Sequence, residues 1–111
     1  MIKTVLHPVS DLAAAKAVYA ALLGAVPRVD SSYYVGFDVD GQHIGLVPGG
    51  GPQGMTSPVT YWHVPDIGAK LAEVTAAGAT VKDPVRDVGG GRLVATVTDP
   101  DGNVLGLLQD R

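Results

Sequence analysis

Three histidines, four tyrosines and one tryptophan carry most of the chemistry this 111-residue chain offers. Side chains two apart on a strand share a face. His7 therefore lies on the face of Val5 and Val9, His43 on that of Gly45 and Val47, and His63 on that of Val59 and Tyr61. His7 is on the helix-covered side and reads as a packed or edge residue; an imidazole titrates near neutrality, so His43 and His63 could contact a ligand, move a proton or hold a metal. The spacing of the three gives no preformed metal-ligand set. Tyr61 and Trp62 adjoin and face opposite ways, and Tyr33 and Tyr34 split likewise. An aromatic ring on the ligand side can stack on a planar molecule. Core filling is the competing use, and it suits Trp62 better than Tyr61. The chain has no cysteine, which excludes disulfides, thiolate metal sites and a cysteine nucleophile. Gly49-Gly50-Gly51-Pro52 lacks a following Lys-Ser/Thr, and Gly89-Gly90-Gly91-Arg92 leads into a strand, so neither is a phosphate loop. There is no serine nucleophile elbow, and no catalytic residue is assigned.

Composition bounds the function classes. The chain is 46% apolar and 17% charged, enough for a packed core and unlike a disordered segment. Its net charge is −3 with eight scattered Lys and Arg, so no basic footprint for nucleic acid is present. No apolar run approaches the roughly 20 residues of a membrane span. The start, Met1-Ile2-Lys3-Thr4-Val5, carries no leader-like apolar stretch. The expectation is a cytoplasmic protein without nucleic-acid or membrane partners.

The elements that position these side chains are short. A strand is expected over Val5–Val9 and ends at a proline-containing stretch. Ser10 and Asp11 can cap a helix over Leu12–Leu23, which Gly24 stops. Strands follow at Tyr33–Val39 and His43–Val47, joined by the hairpin signal Asp40-Gly41. After the Gly/Pro segment the order restarts. A strand spans Val59–Val64, Asp66 caps a helix to about Ala77, and a short strand lies near Thr80-Val81. A hairpin of Arg92–Thr98 and Val104–Gln109 turns at Asp99-Pro100-Asp101-Gly102.

The two halves repeat each other. Val9-Ser10-Asp11-Leu12 matches Val64-Pro65-Asp66-Ile67, and both helices stop at Gly-Ala. Asp40-Gly41-Gln42-His43-Ile44-Gly45-Leu46-Val47 matches Asp101-Gly102-Asn103-Val104-Leu105-Gly106-Leu107-Leu108. The offset grows from 55 to 61 residues between the two matches. Six extra residues are therefore expected as a loop around Asp83–Gly91. Chance recurrence would explain either match alone but not both in the same order.

These matched segments, with Ala17-Val18-Tyr19-Ala20-Ala21-Leu22-Leu23-Gly24 and Asp99-Pro100-Asp101-Gly102-Asn103, resemble the glyoxalase/bleomycin-resistance/dioxygenase (vicinal oxygen chelate) superfamily. The resemblance covers essentially the whole chain. It implies an α+β fold of two βαβββ modules forming a cupped mixed sheet, with helices on the outside. The organisation is one domain over 1–111, with modules at 1–50 and 59–111 and a linker at 51–58.

The resemblance also locates where metal-dependent relatives place up to four ligands: near the start of the first strand and on the last strand of each half. Here those positions hold Thr4, Val59, Gly45 and Gly106. Valine and glycine offer no side-chain donor, and one threonine hydroxyl cannot hold a divalent cation. No metal site and no cofactor are expected, with a displaced divalent metal as the alternative. The glycines would point into the cup, where a missing side chain either enlarges a pocket or relieves packing.

The resulting expectation is a metal-independent protein that binds an apolar or aromatic small molecule and pairs as a homodimer. Its ligand-contacting set is Thr4, Tyr33, His43, Gly45, Val59, Tyr61, His63 and Gly106. The alternative is a superfamily enzyme, lyase/isomerase or dioxygenase-like, using a displaced metal or His/Tyr acid–base chemistry. One fold hosts many functions, so the site must decide.

Overall fold

A computed structural model describes residues 1–51 and 54–110. Pro52 and Gln53 of the 51–58 linker, and the last residue of the second module, lie outside the described residues. The chain forms two compact units: residues 3–59, and residues from Thr60 onward together with Met1 and Ile2.

The first unit contains β1 (Ile2–Val9), α1 (Leu12–Leu23), β2 (Val29–Asp30), β3 (Val35–Val39) and β4 (Gln42–Pro48). Strand order is β2-β3-β4-β1, with β1 parallel to β4 and the other pairs antiparallel. α1 begins where Asp11 Oδ1 accepts the Ala14 N–H at 3.0 Å, and ends on Gly24 at φ 62°. The β3–β4 hairpin turns on Asp40 and Gly41, both at positive φ, the geometry that matches strand twist in a two-residue loop. Its core is Val35, Phe37 and Leu46, with Leu12, Tyr19 and Leu23 of α1 packed on them. The helix is only half-buried, and Val18 and Leu22 stand exposed.

The second unit repeats the order with β5 (Val59–His63), α2 (Ile67–Ala76), β6 (Thr80–Asp87), β7 (Leu93–Thr98) and β8 (Val104–Gln109). Strand order is β5-β8-β7-β6, again with the first strand parallel to the last. Asp66 caps α2 by accepting from Ala69 N–H at 3.0 Å. Gln109 Oε1 accepts from Ile67 N–H at 2.8 Å and ties the helix start to β8. Ile67, Ala95 and Leu107 form the core under this helix. Met1 belongs here because it exchanges backbone hydrogen bonds with His63. Two βαβββ modules are thus present, as the internal repeat requires.

Two local expectations are corrected, and one short strand is added. The six extra residues do not make a loop. They lengthen β6 to eight residues, which a turn at Val88–Arg92 follows. Pro84 is tolerated because β6 has β7 as its sheet neighbour and slips register between Asp83 and Arg86. Strand β2, two residues long, was too short to leave a periodicity. Tyr33 and Tyr34 are not on a strand. Ser31 closes a turn on Tyr34, its Oγ receiving the Tyr34 N–H at 3.1 Å and its N–H donating to the Tyr34 carbonyl at 3.0 Å.

Candidate functional site

In the first module, strand alternation puts Val35, Phe37, Ile44 and Leu46 under α1 and leaves Gly36, Asp38, His43 and Gly45 on the other face. β1 continues that division. Thr4 lies beside His43 and Leu6 beside Gly45, whereas His7 turns to the helix, its ring centroid 5.3 Å from that of Tyr19. Burial lowers the His7 pKa, since the apolar contact disfavours the imidazolium.

The open face carries a hydrogen-bonded chain. Tyr34 Oη lies 2.5 Å from His43 Nε2, and His43 Nδ1 lies 2.6 Å from Asp38 Oδ1. Arg28 Nε approaches the other Asp38 oxygen at 3.5 Å. Asp38 and His43 are directly opposed across the β3–β4 hairpin, so the tight turn sets this contact. The Tyr34 and His43 rings are nearly parallel, at 12°. They lie on a bed of two opposed glycines, Gly36 and Gly45. A Cβ at Gly36 would fall 2.7 Å from the His43 ring, and one at Gly45 would collide with Tyr34 Oη and Leu6. Tyr33, the tyrosine expected at the ligand, is 77% exposed instead. Tyr34 takes the contact because the Ser31 turn aims it back over β4. Its only sequence signal was adjacency to Tyr33 before a hairpin.

In the second module, Tyr61 stands opposite Gly106 and its ring covers that glycine; a Cβ there would lie 2.5 Å from Tyr61 Cδ2. Tyr61 is 3% exposed. Its hydroxyl is held above the usual phenol range, first by burial, while Arg86 opposes and Asp83 adds to the effect. Thr96 Oγ1 donates to Asp83 Oδ2 at 2.6 Å nearby. The volume that the two glycines release is therefore taken by the chain's own tyrosines, so of the two uses weighed for them the packing one is observed. His63 lies at the end of β5 with Nδ1 3.5 Å from Asp110 Oδ2, and Arg92 Nε donates to the same carboxylate at 2.7 Å. Thr4 and Val59 are both buried at 4% exposure.

Trp62 lies on the helix side, as alternation requires, but it is 39% exposed whereas Tyr61 is 3% exposed, so the core filling expected of Trp62 falls to Tyr61. There it lines a cavity of about 320 Å³ with Met1, Val64, Val74, Leu105 and Leu107, and with Lys70 at its edge. Sequence reasoning missed this cavity, because a void depends on how α2 seats on the sheet rather than on any residue type.

Among the described residues no three His, Cys, Asp or Glu side chains are grouped to hold a metal ion. The four positions singled out for ligands supply one hydroxyl and no carboxylate or imidazole. Their donor set does not fit a divalent cation.

The architecture is that of an α+β protein of paired βαβββ modules. The chain belongs to the Glyoxalase/Bleomycin resistance protein/Dioxygenase superfamily, whose pattern it matches over residues 2–107. It is 32% identical over 111 residues to the "Putative glyoxylase CFP32" of Mycobacterium bovis, covering 90% of this chain and 42% of that protein. The chain thus spans less than half the length of the curated relatives it matches. A superfamily member from Vibrio splendidus shares the fold over the full length of both chains, at TM-score 0.76 and 18% identity. Methylmalonyl-CoA epimerase from Mycobacterium tuberculosis superposes at TM-score 0.77 and 15% identity, over 99% of this chain and 87% of that one. Such identities speak for the fold alone. Among the described residues no helix is long and apolar enough to cross a membrane.

Proposed function

We propose that this chain is a metal-independent small-molecule binding protein of the glyoxalase/bleomycin-resistance type, taking an apolar or aromatic ligand and using no cofactor. The observation that carries this reading is the content of the four ligand positions: Thr4, Val59, Gly45 and Gly106 offer nothing that would retain a divalent cation. Aromatic and imidazole groups stand on the helix-free sheet faces instead, with His43 beside Tyr34 in one module and His63 on the strand of Tyr61 in the other. Apolar surface with a few polar groups is what a small-molecule site needs. The chain acts as a homodimer in this reading, and exposed Val18, Leu22 and Val26 supply apolar surface for pairing.

Metal content of the purified protein, followed by thermal shift with indole and naphthalene derivatives, tests this. The expected result is no stoichiometric metal, no shift with zinc or manganese, and a higher melting temperature with at least one aromatic compound. Stoichiometric metal that chelation removes with loss of ligand stabilisation would sink the proposal. His43→Ala and His63→Ala should weaken the ligand response. A loss seen only with Trp62→Phe would move the ligand to the cavity beneath α2. Sedimentation of the wild type and of Leu22→Lys reads the dimer.

A further inference from the structure

Tyr34, His43 and Asp38 have the connectivity of a nucleophile, a base and an orienting carboxylate. An ionised Asp38 can only accept, so the proton of the imidazole sits on Nδ1. Nε2 is then the acceptor, and the Tyr34 hydroxyl donates to it at 2.5 Å. Asp38 fixes the tautomer and would stabilise an imidazolium, should the phenolic proton cross. Arg28 Nε lies 3.5 Å from Asp38 Oδ2, the carboxylate oxygen that does not face the histidine. Three further features fix the geometry. Opposed strand positions set Asp38 against His43. Two glycines leave room for the rings. A serine turn anchors the Tyr34 backbone on both sides, through its N–H and its carbonyl. The histidine and aspartate side chains are 23% and 40% exposed, and Tyr34 itself is half-buried.

We propose that Tyr34 is an activated hydroxyl, its proton taken by His43 under the orientation of Asp38, and that it acts on the carbonyl group of small activated carbonyl compounds. The Tyr34 oxygen attacks the carbonyl carbon of an ester and forms the new O–C bond. The phenolic proton passes to His43 Nε2. The bond to the leaving oxygen breaks, and that oxygen departs with the electron pair. The proton on Nε2 then passes to the leaving group or to water, restoring the imidazole. Tyr34 is the reacting residue, and His43 and Asp38 act through it. This activity goes beyond ligand binding, and its readout is covalent acylation of Tyr34 rather than binding.

The protein contains its own reference in Tyr33, adjacent in sequence, 77% exposed and outside the hydrogen-bonded chain. The full chain is incubated with p-nitrophenyl acetate, and acetylation at each tyrosine is timed by tandem mass spectrometry. Tyr34 should acylate at least about tenfold faster than Tyr33, a modest part of the ~10²–10⁴ that a positioned base supplies. His43→Gln should bring Tyr34 down to the Tyr33 rate or below, and Asp38→Asn should give a partial loss, with Tyr33 unchanged in both. Tyr33 labelling as fast as Tyr34 in the wild type would overturn the proposal. So would a Tyr34 rate indifferent to both variants. The wild-type ratio needs no substitution, so a variant that misfolds leaves the decision intact. Failure of aromatic ligands to bind, with Tyr34 still fast, would sink the binding reading alone.

Discussion

Both modules seat a tyrosine on the glycine of their last strand, and they use it differently. Over Gly45 the ring is Tyr34, which arrives from a turn, is partly exposed, and ends on His43 and Asp38. Over Gly106 the ring is Tyr61, which arrives from the first strand, is nearly fully buried, and keeps its proton because burial opposes the phenolate. The steric device is shared, but the polar surroundings are not. An identical residue type on an equivalent bed is a core element in one place and the end of a proton-bearing chain in the other. The distinction lies in what stands beside the hydroxyl, and in how the backbone delivers the ring.

Truncating the two rings should separate these roles. Tyr61→Ala should cost about 3–4 kcal/mol, the scale of deleting a buried aromatic ring, and Tyr34→Ala roughly 1–2 kcal/mol. Chemical denaturation reads both, and equal losses would break the contrast. Filling the beds should follow the same order. Gly106→Ala meets a ring that has nowhere to go and should lose about 2 kcal/mol. Gly45→Ala meets the hydroxyl end of a partly exposed side chain and should lose about 1 kcal/mol. In the double variant Gly106→Ala/Tyr61→Ala the costs should fall short of additive, since the clash partner is gone.

Two pH effects are smaller and independent of the tyrosines. The His7 pKa is lower folded than unfolded, so the unfolded chain binds more protons around its ordinary 6.5. This contribution to stability is complete above that value and is lost as pH falls toward the folded pKa. His7→Phe should flatten the denaturation midpoint between about pH 7 and 5. The Asp99 carboxyl is held below its ordinary 3.8, chiefly by the Asn103 side-chain and backbone N–H groups. Its contribution is present above that value and lost as pH falls through the folded pKa, so the β7–β8 turn should loosen locally in acid. Amide chemical shifts of Asp101 and Asn103 would follow it, and Asp99→Ala should remove the transition.

Much of the architecture was legible in residue order. Asp11 and Asp66 are the N-caps, Asp40-Gly41 is the hairpin turn, and His7 and Trp62 take the helix-covered faces. These features are local. A cap bonds three residues ahead, a tight turn needs positive φ, and alternation along a strand fixes a face. The β6 extension escaped because an insertion between two elements reads as added loop. Pairing with β7 makes it strand instead.

The candidate site divides along the same line. The sequence by itself determined that Thr4, Val59, Gly45 and Gly106, the positions to which the resemblance assigns metal ligation, carry no carboxylate or imidazole, because donor chemistry is a property of residue type. Only the tertiary structure decided what occupies the space the glycines leave, and that Tyr34 rather than Tyr33 meets His43. Those outcomes depend on the path of a turn and on contacts between strands, where a shift of one residue exchanges a part-buried tyrosine for an exposed one.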